Sequence, residues 1–304
     1  MIKNLLIILC LIPAGSAAAS SPPATPFTIP GGQKALEFVR YIPDKKGDMT
    51  WELQGESARL IDPVHMEITE LVALSHDPKV GFLKITVDRF LYDSQAREGR
   101  AEKERVTVRR EKMVLTGKGL LWWADQKHLR ILEDVRLLLQ EKDGSGLFPF
   151  DLPALSPGKA ASGPAPTPPE DWTVITCDGN LFMNYQKNKI TFYRNVRVDN
   201  PRGNLRSDQL IIFVSSSEKK IEKMEAFGNI DIRMGSRRGS SEKVLYLPEE
   251  KKVILLGDAM IRDKKNQVRG EKITFYLDRE EMEVSSASDI KLVPDEDMEF
   301  DLGD

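Results

Sequence analysis

Two cysteines and three histidines in 304 residues leave little for metal or disulfide chemistry. Cys10 lies in an N-terminal apolar stretch, so removal of that stretch leaves Cys177 alone and no intramolecular disulfide. His65, His76 and His128 fall in different segments, and no pair has metal-ligand spacing. No serine sits in a nucleophile-elbow motif, and no glycine-rich phosphate loop precedes a helix. The carboxylates fall mostly on the polar alternates of strand-like runs or in turns. These absences predict no catalytic residue, no enzyme activity, no cofactor and no metal. A basic excess is also missing. The formal net charge is −3, which argues against a nucleic-acid partner.

Long apolar runs are scarce as well. The clearest is Leu5 to Ile12, too short to span a bilayer comfortably. With Lys3 before it and Ala17-Ala18-Ala19 after it, residues 1–19 read as a cleaved signal peptide rather than a retained inner-membrane anchor. Ile7-Ile8-Leu9 before Cys10 is not the small-residue context of a lipidated cysteine. The expected compartment is the periplasm.

What is present is repetition. The chain is 30% charged and 40% hydrophobic, with a mean hydropathy of −0.35, an ordinary soluble composition with room for two modest domains. Lys223 to Val284 carries one short pattern twice. Met224-Glu225-Ala226-Phe227-Gly228-Asn229-Ile230-Asp231-Ile232-Arg233 is followed by Arg238-Gly239 and by Lys243 to Leu247. Val253-Ile254-Leu255-Leu256-Gly257-Asp258-Ala259-Met260-Ile261-Arg262 is followed by Arg269-Gly270 and by Lys272 to Leu277. Gly228 and Gly257 are 29 positions apart, Arg238 and Arg269 31. A fixed period of this size marks a repeat architecture.

Most of these runs alternate, which is the period of a strand with two unlike faces. Ile230 and Ile232 share one face, Asp231 and Arg233 the other. Ile273, Phe275 and Leu277 share a face, with Thr274 and Tyr276 opposite. The Gly-Asn and Gly-Asp steps allow positive φ and suit a tight turn or a bulge that bends the sheet. Arg-Gly is expected to serve the next reversal. One unit cannot bury its own apolar face, so copies must stack around a shared interior. The expectation is an all-β, elongated structure, apolar inside and charged outside.

The remaining chain fits the same grammar. Residues 20–34 form a Pro/Gly-rich leader. A first β module spans 35–142. In it, Trp51 to Leu60 reads as a strand, a turn at Gly55 and a second strand, and the charge-dense Arg97 to Lys112 reads as a solvated edge. Leu132 to Leu137 is a weak echo of the later Gly-Asp step. Residues 143–170 hold seven prolines among Ala, Gly and Ser and read as an inter-domain linker. A second β module spans 171–293, with further steps at Gly179-Asn180 and Arg194-Asn195. It ends in a strand pair, Met282 to Val284 and Ile290 to Val293. Residues 294–304 form an acidic tail.

At Phe227-Gly228-Asn229-Ile230-Asp231-Ile232, Leu256-Gly257-Asp258-Ala259-Met260-Ile261 and Lys272 to Asp278, the second module resembles the OstA-like family, meaning LptA and its relatives. The first module, through Trp51-Glu52-Leu53-Gln54-Gly55-Glu56-Ser57-Ala58, is similar to the LptC branch. The resemblance implies two open β-jellyroll modules of antiparallel strands that belong to the lipopolysaccharide export bridge. It implies an apolar groove for the acyl chains of lipid A, and protomers that join end to end. Two features depart from that family: the modules are fused in one chain, and a cleaved signal would remove the anchor expected of LptC.

An apolar-lined β roll is in any case a place for lipid tails, since each buried methylene contributes about 0.8 kcal/mol. The expected lining is Ile230, Ile232, Val253, Leu255, Ile273, Phe275 and Leu277; the plain alternative for each is core packing. Arg233, Arg238, Arg262 and Arg269 are the candidate head-group contacts, with solvated strand and turn positions as the alternative. Free sheet edges would pair with other bridge components or with a second copy of the chain. The competing reading is a structural β-solenoid that scaffolds the envelope without carrying lipid.

Overall fold

The computed structural model describes residues 35–43, 49–77, 81–110, 112–140, 172–201, 203–215, 221–264, 266–279 and 281–291. The expected signal peptide, leader, linker and acidic tail lie outside the described residues.

The described chain is all-β. Its first half holds β1 (Ala35–Pro43), β2 (Met49–Leu60), β3 (His65–Ser75), β4 (Lys84–Asp93), β5 (Glu98–Arg110), β6 (Met113–Trp123) and β7 (His128–Gln140). Its second half holds β8 (Trp172–Cys177), β9 (Leu181–Asn184), β10 (Lys189–Asn200), β11 (Gly203–Val214), β12 (Ile221–Met234), β13 (Arg237–Leu247), β14 (Lys252–Asp263), β15 (Asn266–Tyr276) and β16 (Glu281–Lys291). All sixteen belong to one antiparallel sheet in sequence order, a meander with no crossover. The only departure is that β9 pairs with β7 and β10, the same neighbours as β8. Strands β8 and β9 are therefore the two arms of a single strand, interrupted at Asp178-Gly179-Asn180.

A crease crosses the sheet, and its chemistry is local. In β12 the buried residues are Met224 and Ala226, then Ile230 and Ile232, with Gly228 and Asn229 between them at φ of 71° and 47°. In β14 the corresponding pair is Gly257 and Asp258 at 73° and 45°; in β10 it is Arg194 and Asn195 at 66° and 48°. The partner strand answers with one residue fewer: Phe227 faces Lys243, but Ile230 faces Ser241. That is a bulge, which bends its strand. On β13 the buried positions accordingly change parity, from Gly239 and Ser241 to Val244 and Tyr246. Both arms of β10, β12, β13 and β14 thus turn apolar side chains into one interior. In the first half, Glu70, Gly119 and Asp134 take the left-handed conformation at the same place in β3, β6 and β7.

Four sequence expectations are corrected. Gly55 is no turn; it lies inside β2, where a Cβ would stand 2.5 Å from Ile68 Cγ2, so the position needs close approach rather than reversal. Arg238-Gly239 and Arg269-Gly270 lie inside β13 and β15, not at chain reversals. Gly239 is there for packing, since a Cβ would stand 2.9 Å from Ile261 Cδ1 and 3.7 Å from Leu255 Cδ2. Residues 98–110 are not an edge: β5 is flanked by β4 and β6, and its charges occupy the outer face of an internal strand. The closing strand pair is one strand, β16, over its described length.

The described strands of 35–142 and of 171–293 pair into this one sheet. β7 pairs with β8 from Val135↔Cys177 to Gln140↔Trp172, and with β9 from His128↔Asn184 to Ile131↔Leu181. Side chains support the junction. Trp51 meets Trp122 and Tyr185 edge-on at centroid distances of 5.1 and 5.6 Å. Arg110 donates to Asn188 Oδ1 at 3.1 Å, and the Tyr185 backbone N–H donates to the Lys127 carbonyl oxygen at 3.0 Å. One set of buried apolar residues runs from Ile42 to Phe275.

Candidate functional site: the creased apolar interior and its charged outer face

Six of the seven expected lining residues face the interior as strand alternation requires. Ile230, Ile232, Val253, Leu255, Ile273 and Phe275 are 0–4% exposed and belong to the core. Leu277 follows the end of β15 and packs against the core while partly buried. Cross-strand register brings them together. Val253 faces Phe275 and Leu255 faces Ile273 between β14 and β15, while Ile232 faces Gly239. The two arms meet across the crease, because Gly239, on the arm of Ile232 and Ile261, lies against Leu255 of the other arm. The interior is closed over these residues. Room for an acyl chain there requires the arms to part.

Thr274, expected on the face opposite Phe275, is itself buried at 4% exposure. The end of β15 is enclosed on both faces, which strict alternation does not anticipate.

The expected head-group arginines stand on the other side of the sheet. Arg233, Arg238, Arg262 and Arg269 are all exposed on the outer face. Arg238 is directly opposite both Arg233 and Arg262 in register. Arg269 is apart from that row and turned toward the crease, where its Nε and Nη2 donate to Asp258 Oδ1 and Oδ2 at 2.6 and 2.5 Å. That bidentate pair holds the Asp258 carboxyl below the usual range, through the hydrogen bond first. Arg233 is held by Asp231 at 2.8 Å. Arg262 donates to Gln267 Oε1 from Nε and Nη2 at 3.2 and 2.8 Å.

Two further outer-face arginines are not evident without register. Arg206 stands directly opposite Arg197 on β10 and Asp231 on β12. Their spacing in sequence carries no signal, because only strand pairing makes them neighbours.

The other singled-out groups are structural. Cys177 lies at the crease, its Sγ 3.3 Å from the Gly179 carbonyl oxygen, and burial pushes its thiol pKa up. His128 packs edge-on against Phe182 at 4.9 Å, and Asn184 Nδ2 donates to its Nε2 at 2.7 Å. Burial first, and the Lys187 charge second, hold its pKa below the ordinary value. His65 lies between Asp62 and Asp93 at 2.7 and 3.5 Å on the surface, and His76 meets Glu52 at 2.8 Å. No group of three or more His, Cys, Asp or Glu suited to a metal ion occurs among the described residues.

Residues 177–281 match the family model described as LptA/(LptD N-terminal domain) LPS transport protein. No curated protein matches the chain. Among solved structures, the chain is similar to LptH, the LptA-homologous periplasmic component of the lipopolysaccharide transport device of Pseudomonas aeruginosa. That similarity is 14% in identity with a TM-score of 0.36, and covers 40% of this chain and 95% of that one.

Proposed function

We propose, on the premise that residues 177–281 form a domain of the LptA/(LptD N-terminal domain) LPS transport family, that this chain is a periplasmic lipopolysaccharide-binding protein. It conveys lipopolysaccharide from the inner toward the outer membrane by taking acyl chains between the two arms of the creased sheet. The observation that carries the reading is the unbroken apolar interior, continuous across the β7–β8 and β7–β9 junctions. Acyl chains replace side-chain contacts between the arms, and each buried methylene contributes about 0.8 kcal/mol toward the cost of parting them. Ile230, Ile232, Val253, Leu255, Ile273, Phe275 and Leu277 line the path. Arg233, Arg238, Arg262 and Arg269 reach lipopolysaccharide phosphates only where the sugar portion folds over a rim onto the outer face.

The fused modules give the chain a built-in junction, with 35–142 and 171–293 as its two parts. The strands at the ends of the sheet, β1 and β16, have no second neighbour among the described residues and are the edges for other bridge components or a second copy. β16 is mostly exposed and carries Glu281, Glu283, Asp289 and Lys291, charges that discourage indiscriminate pairing.

The closed interior specifically favours a second reading, a scaffold that needs its core solid. Binding of fluorescent lipopolysaccharide to the purified full chain separates the two. Saturable binding displaced by unlabelled lipopolysaccharide supports transport. Lipid-free filaments by electron microscopy, without saturable binding, overturn it.

A further inference from the structure

The outer face over β10 to β14 carries charges that the interior does not explain. Arg206 lies opposite Arg197, and Arg238 lies between Arg233 and Arg262. Cβ atoms of directly opposed residues are about 5 Å apart, and like charges so placed destabilise a sheet. Neighbours offset only part of this. Asp231 holds Arg233, Gln267 holds Arg262, and Asp178 is 4.0 Å from Arg197. Arg206 and Arg238 have no hydrogen bond or ion pair with a described residue. Beside Arg206 is a recess of about 210 Å³ lined by Arg197, Arg206 and Arg233 with Asp199, Asp231 and Asn204. Its floor is braced, since Asn204 Nδ2 donates to Asp199 Oδ1 at 2.9 Å.

We propose that this recess is a phosphoryl-binding site on the outer face, with Arg206 as its anchor and the Arg233–Arg238–Arg262 row supplying the positive field beside it. Guanidinium groups bind phosphoryl oxygens bidentately, and Arg206 has its donors free for that geometry. A bound dianion also relieves the repulsion between the opposed arginines, so the same groups that cost stability in the free protein hold the ligand. The two aspartates fix Arg233 and Asn204 and keep the recess from acting as an indiscriminate anion trap. The phosphoryl group can belong to a lipid head group or to a soluble phosphate ester. The site lies on the face opposite the interior and does not depend on lipid entering it, so either reading can fail alone.

Calorimetric titration of the full chain with inorganic pyrophosphate at low salt tests the site. The expected result is saturable binding, weakened about tenfold or more by Arg206→Gln and unchanged by Arg109→Gln on the outer face of β5. Arg238→Thr is expected to raise the melting temperature without pyrophosphate and to reduce the further rise that pyrophosphate produces. A merely structural arginine would do neither. Co-sedimentation with phosphatidylglycerol vesicles that is lost in Arg206→Gln assigns the phosphoryl group to a lipid surface. Pyrophosphate binding without vesicle binding assigns it to a soluble ester. No saturable pyrophosphate binding, or equal weakening by Arg109→Gln, overturns the proposal.

Discussion

Ile232 and Arg233 are consecutive, yet they stand on opposite faces of one strand: Ile232 is 4% exposed and the Arg233 side chain 49%. The apolar path and the arginine row are therefore separated by the sheet itself. A lipid held by the first does not touch the second through the wall. The separation of an apolar interior from a charged exterior follows from strand alternation, kept in phase across the bends of β10, β12 and β14 by paired left-handed residues.

The interior is packed rather than hollow, which sets a stability cost. Phe275 is 0% exposed and faces Val253 across β14 and β15. Phe275→Ala is expected to destabilise the protein by about 3–5 kcal/mol. Urea unfolding of the lipid-free chain measures it. A loss below about 1 kcal/mol would mean that the arms are already apart in solution.

The crease depends on backbone that most residues adopt only at a cost. Gly257 has φ of +73°, and a Cβ there would meet Glu242 Oε2 at 2.6 Å. The glutamate carboxylate can swing aside, but its Cβ, 2.9 Å away, moves only with its backbone, and the φ cannot change without undoing the bulge. Gly257→Ala is expected to cost more than the roughly 1–2 kcal/mol penalty of a left-handed residue with a Cβ. Denaturant midpoints of the two proteins check it.

The junction between the halves should weaken in mild acid. The His128 pKa is lowered in the fold, so the unfolded chain takes up the proton first, near pH 6.5. Its contribution is intact above that pH and is lost as pH falls through 6.5 toward the folded value. The Asn184 amide that donates to Nε2 has the same consequence, since a protonated ring cannot accept. Stability measured at pH 8 and pH 5.5 should fall less in His128→Gln than in the parent. Equal slopes would remove His128 from the account.

Cys177 offers a probe of the crease. Its thiol is 7% exposed and its pKa is raised by burial. Reaction with a thiol reagent should be slow in the native protein and fast in denaturant. Acceleration by lipopolysaccharide without denaturant would report opening of the arms at Asp178-Gly179-Asn180.

Much of this was legible in the sequence, and the exceptions have physical causes. Alternation in Ile230 to Arg233 and in Val253 to Leu255 assigned faces correctly, because a strand with one buried face has little freedom of register. Gly228-Asn229 and Gly257-Asp258 marked the bends. Gly55, Gly239 and Gly270 were not separable from turn glycines, because close approach leaves no trace beyond the glycine itself. In the first half the crease uses Glu70 and Asp134 in left-handed conformations, residues that announce nothing. The inner position of β5 was hidden by its charges, since an internal strand with one solvated face carries as many as an edge. The Arg197–Arg206 pair emerges only when β10 and β11 are set in register.

Site-specific photo-crosslinking tests the central claim most directly. With a photoreactive residue at Ile232 or Phe275, in cells making lipopolysaccharide, the account predicts a lipopolysaccharide adduct at both inner positions and none at Asp231 on the outer face. Equal labelling at Ile232 and Asp231, or none at either inner position, would contradict it.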